Sequence, residues 1–156
     1  MKQFSHPINY KKLGSALGLS EELAKRFLDD GRIMGRLGEF ILEQHGIGSR
    51  SDNENTPYDN VTTDGTKIEV RSITDQVSFA SSKEVGFGRH VTEEGFTEKL
   101  NSLDFYCCID FRNLSTLNFI PVTKDDILEM QREGRLRKNK SVGKNSFFEY
   151  IENKNT

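Results

Sequence analysis

The stretch from Tyr58 to Ser72 constrains this chain more than any other part of it. Asp64-Gly65 stands between two β-prone runs, the signature of a tight hairpin turn. Beyond it, Lys67, Glu69 and Arg71 alternate with Ile68 and Val70. A period of two puts the three charges on one face of a strand and the two apolar residues on the other. The expectation is two adjoining strands, with Asp59 near the start of the first and Glu69 in the middle of the second.

The flanking sequence supplies layers for such a hairpin. Ser20 with Glu21 and Glu22 behind it opens a helix whose apolar stripe is Leu23, Phe27 and Leu28. Asp30-Gly31 interrupts it. Ile33, Met34, Leu37, Ile41 and Leu42 mark a second helix that closes at Gly46. Gly35 and Gly38 weaken that helix but allow another backbone to come close. Residues 48–57 read as a polar loop, and 75–91 show no clear pattern. Thr92, followed by Glu93 and Glu94, caps a short helix to Asn101. Asp104 to Phe111 is a near-continuous apolar run suited to a central strand. A strand over 116–122 and a helix from Thr123 to about Arg132 follow. The predicted fold is α/β (α+β), with a mixed central sheet of four to five strands flanked by helices. One domain fits 156 residues: a helical N-terminal part (1–46), a central sheet with its helices (56–131) and a basic C-terminal segment (132–156).

Composition narrows the class. No run of 18 apolar residues exists and the first residues hold no apolar leader core, so the expectation is a cytoplasmic chain without a membrane partner. Cys107 and Cys108 are adjacent; neighbours in a strand face opposite ways, so both read as packing residues rather than a disulfide or a metal site. His6, His45 and His90 lack metal-ligand spacing and read as structural, with His90 also a candidate DNA contact beside Arg89. The net charge of −2 hides an asymmetry: residues 132–144 hold six cations and one acid. Such a segment can meet phosphates, or it can be a solvated tail. The aromatics after it, Phe147, Phe148 and Tyr150, are expected to pack back on the core.

The hairpin carries the chemistry. Folding about Asp64-Gly65 brings the Asp59 and Glu69 carboxylates together, where each raises the other's pKa. A divalent cation removes that penalty, and hard oxygen ligands suit Mg²⁺. Arg71, two residues on and on the same face as Glu69, can offset charge building on a phosphorus atom. The same Lys-x-Glu-x-Arg pattern also occurs on solvated hairpin faces, and Asp59 also fits as a turn residue.

Pro57-Tyr58-Asp59, a gap of nine residues and Glu69-Val70-Arg71 together resemble the signature of the PD-(D/E)XK nuclease superfamily, similar to its small type II restriction endonucleases. Gly35-Arg36-Leu37-Gly38-Glu39-Phe40 looks like the helix that presents a further Glu in many members, and the element order through about residue 132 follows the family. The resemblance covers roughly residues 31–132. It implies a restriction-endonuclease-like fold and Mg²⁺-dependent hydrolysis of double-stranded DNA, with Mn²⁺ able to substitute. It implies Asp59, Glu69, the Val70 carbonyl and Glu39 as metal ligands. Arg71 stands where the family usually has lysine, either naturally or as an engineered replacement. Arginine stays protonated, so it can hold water or stabilise charge but cannot act as a base. Lys67, on the same face, is a second candidate for that role. Cutting both strands with one site per chain implies a homodimer, with residues 8–45 as the expected surface. The segment after the catalytic strand often reads bases in this family, which implicates Gln76, Ser81, Ser82, Lys83, Arg89 and His90. Arg135, Arg137, Lys138 and Lys140 in the basic segment are expected to hold phosphates. The alternatives are a structure-specific nuclease, such as a repair enzyme or Holliday-junction resolvase, and a catalytically weak DNA-binding module of the same fold.

Overall fold

In the computed structural model, residues 1–51, 56–81, 90–113 and 115–154 are described. The elements are β1 (Phe4–Pro7), α1 (Tyr10–Leu17), α2 (Glu21–Leu28), α3 (Gly31–Gln44), β2 (Ser49–Arg50), β3 (Asn60–Val61) and β4 (Lys67–Ser72). Then come β5 (Gln76–Ser78), α4 (Glu93–Asn101), β6 (Phe105–Asp110), β7 (Thr116–Thr123), α5 (Lys124–Arg132), β8 (Ser141–Gly143) and α6 (Lys144–Lys154). The fold is mixed α and β, as expected. The main sheet has six strands in the order β1-β7-β6-β4-β3-β2, and β5 pairs with β8 in a separate ribbon. The expected four to five strands is therefore an undercount. Its cause is the edges: β2 and β3 are two residues each, and β1 runs through His6-Pro7, too short for a periodicity to show. The N-terminal part is accordingly not purely helical, and α1 adds a third helix to the two expected there.

β6 pairs parallel with β4, and the other neighbours in the main sheet are antiparallel. Side chains alternate across the sheet and feed two cores. Ile68, Val70, Cys107, Ile109, Leu117 and Phe119 pack with Met34, Ile41 and Leu42 of α3. Tyr106, Cys108, Ile120 and Val122 pack with Phe96, Ile127, Phe147 and Phe148 on the opposite side. The two cysteines thus enter different cores, both free, with burial raising both thiols. The C-terminal aromatics are buried, as the sequence predicts.

The helix caps follow the sequence. The Ser20 hydroxyl accepts from Leu23 N–H and Thr92 from Gly95 N–H. Asp30, expected only to interrupt a helix, is the N-cap of α3 and accepts from Arg32 and Ile33. The turn after β3 closes through Thr62 and Thr66, with Gly65 at φ +87°. Gly38 is where α3 meets the sheet: an added Cβ would lie 2.0 Å from Ile109 Cδ1 and 3.2 Å from Val70 Cγ1. That close approach places Glu39, the next residue, beside β3, where its carbonyl accepts from Asn60 Nδ2. Gly35 makes no such approach, since no atom lies within 4 Å of its added Cβ; it lines an open cleft instead.

Candidate metal and nucleic-acid site

A cleft of about 860 Å³ opens where α3 faces β4 and β5. Glu39, Asp59, Glu69, Val70 and Arg71 all line it. The residues singled out from the hairpin therefore converge with the acid of α3. β4 forms the floor. Its register with β3 ends at Asn60↔Ile68, and the chain before Asn60 turns so that Asp59 N–H donates to the Ile68 carbonyl at 2.9 Å. Asp59 Oδ2 then accepts from Val70 N–H at 2.7 Å. In a strand, the N–H and C=O of one residue point to the same side. The Val70 carbonyl consequently faces the same side as Asp59.

Glu69 is not on a solvated face: only 5% of it is exposed. Arg71 Nη2 lies 2.7 Å from Oε1, and Lys99 Nζ lies 2.8 Å from Oε2. Burial raises the Glu69 pKa; Arg71 opposes the rise, Asp59 adds to it, and Lys99 opposes it, leaving the carboxyl above its ordinary range. Glu39 is 8% exposed and bonded to Arg36 at 2.7 Å. Burial and then the Asp59 charge raise its pKa, against the pull of Arg36. Two carboxylates, Glu39 and Glu69, are thus held where ionisation is disfavoured by burial and by the Asp59 charge beside them.

Oxygen donors at an open cleft suit a hard cation that keeps part of its water shell, as Mg²⁺ does. Among the described residues no three acid, imidazole or thiol groups gather closely enough to cage an ion by themselves. The donor set fits Mg²⁺ in chemistry and openness, with water and substrate oxygens completing it. Next to this cleft, the Asn60 amide ties β3 to α3. Its Nδ2 donates to the Glu39 carbonyl at 3.2 Å, and its buried Oδ1 has no hydrogen-bond partner among the described residues.

The amine beside Glu69 is Lys99, not Lys67. Lys67 is exposed and lies 5.8 Å from the Tyr58 ring centroid, outside the cleft lining. Lys99 escaped the sequence reading because it sits on α4, thirty residues after Glu69, with no local pattern to mark it. Arg32 and Arg36 were also missed and line the cleft from α3. Their i, i+4 spacing on the helix that carries Glu39 was the available signal. Arg71 Nη2 also donates to the Ala80 carbonyl at 3.1 Å, tying the following segment to the site.

The expected DNA contacts divide. Gln76 lines the cleft; its Oε1 accepts from Arg137 Nη1 at 2.8 Å and from the Ser141 hydroxyl at 2.9 Å. Arg137 and Lys138 are exposed at the ribbon edge, His90 is exposed and Ser81 is half-buried. Ser82, Lys83 and Arg89 lie outside the described residues. Two others are engaged within the protein. Lys140 is 5% exposed, at φ +56°, paired with Glu93 and 4.8 Å from the Phe96 ring centroid, so it is a packing cation. Arg135 bonds Glu133, Glu149 and the Ser146 carbonyl, which fastens the loop to α6 and uses its donors internally. His6 and His45, which lack metal-ligand spacing in the sequence, meet at 3.1 Å at the C-terminal end of α3, where His45 is the cap residue.

Comparison with protein-family models, curated proteins and solved structures finds no match to this chain. Among the described residues no helix is long and apolar enough to cross a membrane.

Proposed function

We propose that this chain is a Mg²⁺-dependent DNA endonuclease with a restriction-endonuclease-like fold, acting on double-stranded DNA at a specific sequence. The observation that carries the reading is the convergence of Asp59, Glu69 and Glu39 on one cleft whose floor is the Val70 backbone. Asp59, Glu69 and the Val70 carbonyl would hold the ion, with Glu39 beside them. A bound Mg²⁺ would polarise the phosphodiester and lower the pKa of an attacking water. Arg71 stays charged against Glu69 and faces the cleft, where its guanidinium offsets charge gathering on phosphorus. Arg32 and Arg36 on one wall, with exposed Arg137, which bonds cleft-lining Gln76, and its exposed neighbour Lys138, would supply phosphate contacts. Gln76, fixed by Arg137 and Ser141, leaves its amide N–H groups for a base edge.

Cutting both strands calls for a second copy. The exposed apolar residues of α1 and α2 support that surface: Leu17, Leu23 and Phe27 are 51%, 47% and 52% exposed. Glu22 and Arg26 flank them, so an antiparallel α2–α2 contact would pair unlike charges. Sedimentation tests this: Phe27→Glu should shift a dimer to monomer, and a wild-type chain that sediments as monomer at all concentrations refutes it.

A second reading, DNA binding with little cleavage, draws on one observation: both Glu69 oxygens already face cations. Plasmid incubation with Mg²⁺ separates the readings. Discrete fragments support sequence-specific cutting, and cleavage confined to branched DNA supports a junction or repair enzyme. Retarded but uncut DNA in both Mg²⁺ and Mn²⁺ supports the binding module.

A further inference from the structure

Lys99 is a buried ammonium that the scheme above does not use. Its side chain is 7% exposed, on a helix anchored in the core by Phe96 and Leu100. Packing alone gives no reason for a charge there, and a buried ammonium is costly unless its donors are satisfied. Its two acceptors are informative. Nζ donates to the Pro57 carbonyl at 2.6 Å and pairs with Glu69 Oε2 at 2.8 Å. Pro57 lies two residues before Asp59, and Glu69 sits on β4. One ammonium therefore bridges the two chain segments that carry the two carboxylates. Arg71 does not duplicate this bridge, because it takes the other oxygen of Glu69 and the Ala80 carbonyl.

We propose that Lys99 is a positioning residue of the candidate metal site: it clamps the Pro57 carbonyl to the Glu69 carboxylate and so fixes the separation at which Asp59 and Glu69 grip one divalent cation. The clamp rests on the metal-dependent reading of the cleft. Its charge also offsets the repulsion between the two carboxylates before the ion arrives. Without it, the Asp59 segment keeps its Ile68 and Val70 contacts to β4, but Glu69 Oε2 loses its restraint.

The test is a Mn²⁺ titration of the full chain, followed by electron paramagnetic resonance of the free ion, on wild type, Lys99→Met and Glu69→Gln. Lys99→Met is expected to weaken Mn²⁺ binding by about 10- to 100-fold, the range for losing a residue that orients metal ligands. Saturating Mn²⁺ should restore much of its kcat on DNA, with KM for DNA unchanged. Equal or tighter Mn²⁺ binding by Lys99→Met, with Glu69→Gln unable to bind, overturns the clamp and leaves the nuclease reading intact. A wild-type chain that takes up no Mn²⁺ overturns both. If Lys99→Met does not fold, Lys99→Ala decides: it removes every donor of the clamp, and binding as tight as wild type overturns the proposal.

Discussion

Two groups of buried carboxylates in this protein are treated in opposite ways. Asp110 accepts from Arg112 Nε and Nη2, both at 2.9 Å, and from the Arg112 backbone at 3.1 Å. Asp126 caps α5, taking the Thr123 N–H at 2.8 Å and hydroxyl at 2.7 Å, and also meets Tyr150 and Lys154. Burial alone would raise both, but the hydrogen bonds outweigh it and leave both below the ordinary aspartate range. Glu39 and Glu69 also have cationic partners, yet burial and the Asp59 charge leave them raised. The difference is between acids whose hydrogen bonds outweigh their burial and acids whose burial, with the Asp59 charge beside them, outweighs their cationic partners. The first kind holds the structure together. The second kind is what a cation site requires, and perturbed groups in a cleft are candidates for function on that ground.

The contrast can be broken at its structural end first. Asp126→Asn removes the charged cap and the partner of Lys154, and we expect a loss of about 2 kcal/mol. For a domain of this size that lowers Tm by roughly 4–8 °C. DNA cleavage at a temperature where the variant is folded should be unchanged, since Asp126 is remote from the cleft lining. A stable but inactive Asp126→Asn would erase the division between the two groups.

Acid titration sharpens it further. A carboxyl lowered by folding stabilises the protein above its unfolded pKa, and that contribution is lost as pH falls through the lower folded value. Wild-type stability should therefore drop as pH goes below the ordinary aspartate value near 3.8, and the drop should be smaller in Asp126→Asn. Denaturant midpoints between neutral pH and this range measure it. Equal acid slopes in the two proteins would mean that Asp126 is not held down.

The smallest effect is expected at Glu39. Its raised pKa means that folding favours the neutral form, so Glu39→Gln should leave stability unchanged or raise it. Its cleavage should nevertheless fall by about 10-fold, as for a residue that supports a metal site from beside it. A clear loss of stability in Glu39→Gln would class Glu39 with Asp110 and Asp126.

The comparison also marks what was legible in the sequence. The Asp59–Glu69 hairpin, the Thr92 and Thr123 caps and the strands at 105–110 and 116–123 depend on local chemistry, and each lies where periodicity and turn residues place it. Glu39 was legible through the resemblance of Gly35-Arg36-Leu37-Gly38-Glu39-Phe40 to a helix that presents an acid, not through any local rule of its own. What was hidden depends on tertiary contact. Lys99 gains its role only when α4 packs beside β4. Lys140 looks like its basic neighbours until a positive φ turns it onto Phe96 and Glu93. The edge strands β1 and β2 are too short to announce themselves and exist because a neighbouring strand pairs with them.

The central claim is that Asp59 is a metal ligand whose loss removes catalysis and spares the fold. Asp59→Asn keeps an oxygen to accept from Val70 N–H while removing the charge. With Mg²⁺ and plasmid DNA, we expect its cleavage rate to fall by at least about 100-fold, beyond the range for residues that only support a ligand, with Tm and DNA binding retained. Cleavage by Asp59→Asn at the wild-type rate, or wild-type cleavage that persists undiminished in EDTA, would contradict the account.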